Sequence, residues 1–493
     1  MKTIEIKKYM LILAGVSMLS SCSDFLDVTP QGELTTDVYF ENEEAIEDAV
    51  ARVYSSINWR FFRLGRMYYT THEVPSDDIQ LVDGDANYTT VQNFTNQTNN
   101  WYVEMYWDRW YGYINDCNQV LELTKKYDNE QARIQDAQAR YFRAYHHFDL
   151  INVFGEAVLR DHVPVTAEYN IPKSSVEDIY KLIISDLEYA IEKLPTRSEW
   201  GTANLGRVTK GTARGLLAKV YLYKQDYQNA YKYAKDVIDS KEYELDSSYR
   251  NLFAPDNTYS KENMMPGHYI YQNIAGRTRN PMVEFWGIPG SGLGSAFFAP
   301  SADLVNAYEE GDPRKDATIF VKKEKIEGYT KDIKWSDGYE YANKKVIWPY
   351  DTWPNGDFFS QELNLTFLRY AEVLLIFAEA ANETGNSSDA LNALEQVRVR
   401  ARSGKDVLPR IVETDKDKLR EVIWKERRIE LAFEGQRWFD LMRYEKVVPN
   451  YSTNLLHSLG RTNFEYNKYS KFPIPLLYVT SSNGILEQNQ YWK

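Results

Sequence analysis

The sequence predicts a mainly α fold, made of paired helices and interrupted by long loop-rich insertions that carry a few short strands. Two observations predict it. Apolar residues recur at steps of three and four through three regions, near 102–155, 175–240 and 368–445. Between them, residues 76–101, 250–300 and 327–362 lose that period and hold many Gly, Pro, Asn, Asp and aromatic residues. Loops of this length are functional or disordered, and an aromatic content this high argues for order.

The first pair is carried by two stripes. Trp107, Trp110, Tyr111, Ile114 and Leu121 mark Tyr106 to Lys125, and Ile134, Ala137, Tyr141, Ala144, Phe148 and Ile151 mark its partner. The second region opens at Ser174-Ser175 with an acidic first turn, Glu177-Asp178, and its first helix stops at Pro195. Helix resumes over Thr209 to Ser240 with a turn at Gln225-Asp226. The third runs from Leu368 to Ala401 and breaks at Gly385-Asn386. The segments around the last two turns share a layout: an aromatic- or leucine-rich helix, a tight turn, an alanine-rich helix. That layout is similar to the tetratricopeptide repeat, with insertions between units in place of a clean period.

The N-terminus reads as a targeting segment. Lys2, Lys7 and Lys8 precede a short apolar run, Tyr9 to Met18, and then Leu19-Ser20-Ser21-Cys22. A cysteine behind small residues resembles the lipobox of bacterial lipoproteins, so residues 1–21 are expected to be a lipoprotein signal peptide and Cys22 the lipid attachment point. Residues 22–493 are then read as a single domain. The chain has two cysteines, and the other, Cys117, lies in a helical stripe. With Cys22 lipidated no intrachain disulfide forms, and core burial must hold the fold. The whole chain carries −13; residues 1–21 carry +2 of this, which leaves −15 for the remainder. That balance argues against nucleic acid and against an anionic lipid surface as electrostatic partners.

Lys425-Glu426-Arg427-Arg428-Ile429-Glu430-Leu431-Ala432-Phe433-Glu434-Gly435-Gln436-Arg437-Trp438-Phe439-Asp440-Leu441-Met442-Arg443 is dense in matched charge. Carboxylates answered one for one by arginines read as a buried ion-pair network, in which breaking one partner costs about 3–5 kcal/mol. This segment resembles the C-terminal signature of the SusD/RagB family. Leu368-Arg369-Tyr370-Ala371-Glu372-Val373-Leu374-Leu375 resembles the family's repeat-opening helix. Arg140-Tyr141-Phe142-Arg143-Ala144-Tyr145 with Phe154-Gly155 resembles its first helix pair, and Cys22-Ser23-Asp24-Phe25-Leu26-Asp27 with Pro30 its mature start. Tyr308 with Asp312-Pro313-Arg314 fits as well. The resemblance implies a SusD-like fold, an outer-membrane lipoprotein facing the cell exterior, a TonB-dependent SusC-like transporter as partner, and a glycan as ligand.

Reactive constellations are not organised in the sequence. His146-His147 are adjacent on a helix and diverge, His72-Glu73 lacks a second zincin histidine, and no Gly-x-Ser-x-Gly elbow occurs. No cofactor is implied. Calcium at a loop such as Asp351 to Asp357 has no EF-hand pattern behind it. The insertions instead offer aromatic planes for the C–H face of a sugar ring and polar side chains for its hydroxyls. The candidate ligand residues are Asp77, Asp78, Asp85, Tyr88, Asn100 and Trp101 in the first insertion, Tyr271, Arg277 and Trp286 in the second, and Trp335 and Trp353 in the third. The first insertion lacks the Arg-Gly-x-Asp-Trp-like element of starch-binding members and has Asp83-Gly84-Asp85 and Tyr88 there. Capture of an oligosaccharide or polysaccharide without catalysis is the reading these residues support. Capture of peptides or glycopeptides by the same scaffold is the alternative, followed by a surface glycosidase and a pure interaction scaffold.

Overall fold

The computed structural model describes residues 43–57, 62–82, 84–267 and 280–493. Contacts divide the chain into two compact units, Met1–Asp48 and Ala49–Lys493. In the larger unit the helices include α1 Phe62–His72, α2 Ala86–Gln92, α3 Trp101–Thr124, α4 Glu130–Phe154, α5 Val176–Lys193, α6 Lys210–Tyr223 and α7 Tyr227–Ser240. Short helices α8 Pro281–Phe285, α9 Ala302–Ala307 and α10 Pro313–Thr318 follow, then α11 Tyr370–Glu383, α12 Ser387–Arg402, α13 Lys416–Glu430 and α14 Arg437–Val447. The fold is mainly α, as the periodicity predicts.

Each long helix packs on its predecessor: α3 on α4, α4 on α5, α5 on α6, α6 on α7. The run then skips everything between Ser240 and Tyr370, and α7 packs on α11, which carries α12 and α13. The two hairpins α6–α7 and α11–α12 are structural equivalents. Their first helices are both 14 residues long. Both turns close with the same pair of bonds, Lys224 N–H to Val220 O and Asp226 N–H to Tyr221 O in one, Thr384 N–H to Ala380 O and Asn386 N–H to Ala381 O in the other. This is the left-handed helix stop: Gly385 adopts φ +85° without strain, and Gln225 adopts φ +61° at the matching position. Alanines on these helices, among them Ala213, Ala218, Ala230, Ala234, Ala380, Ala381 and Ala390, have no exposed surface.

Among the described residues six strands form three antiparallel two-stranded sheets: β1 Ile79–Leu81 with β3 Phe298–Pro300, β2 Asn263–Pro266 with β6 Thr366–Arg369, and β4 Ile319–Val321 with β5 Tyr341–Asn343. The register places Ile79 opposite Pro300, Asn263 opposite Arg369 and Ile319 opposite Asn343. Strand β6 corrects one expectation. Leu368-Arg369 continue the apolar pattern of α11, but pairing with β2 draws them into a strand and the helix starts at Tyr370. No helix among the described residues is long and apolar enough to cross a membrane.

The C-terminal segment forms the expected ion-pair network. Glu430 receives Arg314 at 3.0 Å, Arg369 at 2.7 Å, and Arg400. Glu426 pairs with Arg314 and with Arg398 at 2.9 Å. Asp440 takes Arg427 at 3.2 Å and Arg443 at 2.8 Å. All these side chains are buried. Burial alone works against the Asp440 charge, and the two guanidiniums bring its carboxyl down to about 2. Cys117 is fully buried, and burial raises its thiol well above the ordinary value.

Candidate functional site

The three insertions named from the sequence converge. Pairing of β1 with β3 joins the first to the second. The Tyr339 hydroxyl donates to Leu81 O at 3.1 Å and joins the third to the first. Ser336 N–H donates to Pro289 O at 2.8 Å and joins the third to the second. That last crossing explains Gly290 in the Gly-Ser-Gly-Leu-Gly run: its φ is +78°, and a Cβ there would lie 2.6 Å from Ser336 N.

At the junction of α1, α2 and α3 sits a polar cluster with an aromatic wall. Asp85 caps α2 by accepting from Asn87 N–H at 2.9 Å, and its other oxygen meets Arg66 at 3.2 Å and the Tyr102 hydroxyl. Arg66 lies 4.8 Å from the Phe297 ring centre. Burial opposes the Asp85 charge, but the bonds from Tyr102 and Asn87 and the Arg66 charge hold its carboxyl below the ordinary range. The Tyr102 phenol is pushed up to about 12, by burial first and then by Asp85. Asn100 caps α3, accepting from Tyr102 N–H at 3.1 Å and Val103 N–H at 3.3 Å, and donates to Asn87 O at 2.9 Å. Trp101, the first helical residue, is 47% exposed beside this cluster. Arg66 and Tyr102 escaped the sequence reading because both lie on regular helices outside the insertions.

Several candidates belong to the scaffold and not to a ligand surface. Asp77 is enclosed and receives Arg437 through two bonds of 2.7 and 2.8 Å and Arg428 at 2.9 Å. Burial works against its charge, yet the two guanidiniums keep Asp77 well below the ordinary carboxylate range. Asp78, also enclosed, accepts from Arg428 at 2.7 Å, while burial and the adjacent Asp77 charge raise it. Arg428 also reaches Asp303 at 2.6 Å. These two aspartates therefore fasten the base of the first insertion to α13, α14 and α9. Tyr88 is fully buried against Phe298 and Tyr102. Trp286 is fully buried among Phe433, Phe298 and Tyr69. Trp353 is buried, with its indole N–H donating to Trp348 O at 3.0 Å. Loop composition makes their rings look like platforms, because it does not distinguish a loop's own core from its surface.

Trp335 is half-buried and stacks parallel to Phe320, 6.3 Å between centres. Tyr350 is 40% exposed and meets Trp353 edge-on at 5.0 Å. Tyr271, Arg277 and Cys22 lie outside the described residues. Among the described residues no group of three or more His, Cys, Asp or Glu side chains is placed to hold a metal ion, the Asp351 to Asp357 loop included. The partly exposed set is thus Trp101, Asp85, Arg66 and Tyr339 around the first insertion, with Trp335 and Tyr350 on the third.

A helical-repeat scaffold with three insertions gathered into one loop-built surface is the class of protein these features define. The chain belongs to the SusD/RagB family. Residues 224–492 match the model described as the SusD family, and residues 24–222 match one described as starch-binding and associating with outer membrane. SusD-like protein P2 of Formosa agariphila is 29% identical over 98% of this chain and 99% of its own length. The starch-binding protein SusD of Bacteroides thetaiotaomicron is 24% identical over 81% of this chain and 79% of its own. A solved laminarin-binding SusD-like protein shares the fold at TM-score 0.74 and 24% identity, covering 91% of this chain and 99% of its own. Surface glycan-binding protein A from Bacteroides uniformis does so at TM-score 0.77 and 24% identity, covering 91% and 100%.

Proposed function

We propose that this protein captures an oligosaccharide or polysaccharide at the cell surface, without cleaving it, and delivers it to a TonB-dependent SusC-like transporter of the outer membrane. In this reading Cys22 carries the lipid that holds the chain to the membrane. The observation that carries it is the convergence of three insertions beside an exposed Trp101 and the Asp85–Arg66–Tyr102 cluster. A flat indole offers a stacking face, and the cluster offers donors and acceptors for hydroxyl groups. Relatives named for binding starch and laminarin support the ligand class. Binding without turnover is supported by Asp77 and Asp78, an adjacent acidic pair of the kind a glycosidase could use: both are buried and committed to arginines.

Affinity electrophoresis through gels containing starch, laminarin, xylan, mannan or pectin tests this. At least one glycan should retard the protein, and Trp101→Ala should weaken that retardation about tenfold or more, as loss of a central aromatic anchor does. Release of reducing ends, or capture of peptides with no glycan retained, would overturn the proposal.

A further inference from the structure

A second cleft opens on the flank of α3. Its volume is about 530 Å³, within the roughly 300–1,000 Å³ usual for small-ligand sites. The floor is α3 from Trp107 to Gln119. One wall is the segment 158–171 and the other is the C-terminal segment 478–486. By contrast, the cavity beside His72 and Asp149, about 30 Å³, holds little more than a water.

Both walls are fixed before any ligand arrives. The Tyr111 hydroxyl donates to Val158 O at 3.0 Å and accepts from Val158 N–H at 2.8 Å. Arg160 spends its guanidinium on Glu168 O at 2.7 Å and Tyr169 O at 3.1 Å. Tyr478 donates to Asp108 at 3.0 Å, and Leu476 N–H to Thr98 O at 2.9 Å. The cleft's Arg160 and Asp108 are therefore engaged with the protein itself. What remains open is of another kind. Asn115 and Gln119, one turn apart on α3, are half-buried and make no side-chain hydrogen bond within the described residues. Tyr169 stands 62% exposed at the rim. A carboxamide both donates and accepts, which matches a hydroxyl, and the tyrosine rings match the C–H face of a sugar.

We infer that this cleft is a second, separate binding site for a neutral oligosaccharide. The inference rests on the glycan reading of the protein and adds a station to it. Asn115 lies 14 residues beyond Trp101 on one helix, about 21 Å away, so neither site is part of the other. Trp101 and Gln119 are about five turns apart and so point to the same side of α3. One long glycan laid along the helix would engage both stations, and retention would then exceed what either gives alone.

The test uses the same glycan gels with the wild-type chain, Trp101→Ala, and the triple variant Asn115→Ala, Gln119→Ala, Tyr169→Ala. The three side chains carry no internal bonds, so melting should match wild type. The expected result is about tenfold weaker retention for the triple variant, the loss of two hydrogen bonds and a ring, with Trp101→Ala still partly retained. If the triple variant migrates as wild type while Trp101→Ala runs free, the second site is overturned and the first stands. Should the triple variant alone run free, the cleft is supported and Trp101 is displaced as the main anchor. If no glycan retards the wild type, both readings fall.

Discussion

Glu73 is held neutral by its surroundings. It is buried at the end of α1, accepts from Gly435 N–H at 2.6 Å, and is pushed up to about 8, chiefly by burial. In the unfolded chain the same group titrates near 4.5. Between these values the folded state keeps a proton that the unfolded state has released, so stability falls as pH rises through that window. Glu73→Gln keeps the acceptor for Gly435 and has no proton to lose. Its melting temperature relative to wild type should rise from pH 5 to pH 8; a pH-independent difference would contradict this. Arg437 presents the opposite case. Arg437→Met leaves the enclosed Asp77 with Arg428 alone, and denaturant unfolding should show a loss of about 3–5 kcal/mol. The charged C-terminal segment was legible as scaffold because its arginines and carboxylates alternate locally. That Asp77 and Asp78 complete it was not, since Asp78 lies 350 residues from Arg428.

At the scale of elements, α3 matters most, because it presents both Trp101 and the second cleft. Its start depends on Asn100, which caps the helix and ties it to α2. Asn100→Ala should cost about 1 kcal/mol in thermal or denaturant unfolding, and it should also weaken glycan retention, because Trp101 would lose its fixed position. Retention unchanged in the face of lost stability would separate the cap from the site. The long helices were legible because three- and four-residue spacing survives any tertiary context. The small elements were not. Helix α2 has only seven residues, with Tyr88 and Val91 alone buried, too short a run to show a period, and β6 is a strand only because β2 is there to pair with it.

Across the whole molecule, the buried histidines set the acid limit. His146 and His147 are enclosed in α4, and burial lowers them to about 3 and about 4. Unfolded, both would titrate near 6.5. Below that pH the unfolded chain takes up two protons that the folded chain refuses, against the single proton by which Glu73 favours the folded state, so net stability should still fall from about pH 6.5 toward pH 4. Calorimetry across that range would show it, and a flat melting temperature would refute it. The pairing of hairpins is a whole-molecule property that the sequence showed in part: the layout repeats, but the contact of α7 with α11 crosses an insertion that no local pattern spans. Arg428 crosses further still, and it imposes an order on assembly. The loop it fastens emerges early in synthesis and the arginine very late. A chain stopped after Arg402 would own every helix of both hairpins and still lack Arg428, Arg437 and Arg461, the side chains that hold residues 75–79 in place. The end of the molecule proposed to meet the ligand is therefore the last to be finished, and an interrupted or clipped chain would display the scaffold with that end unfastened.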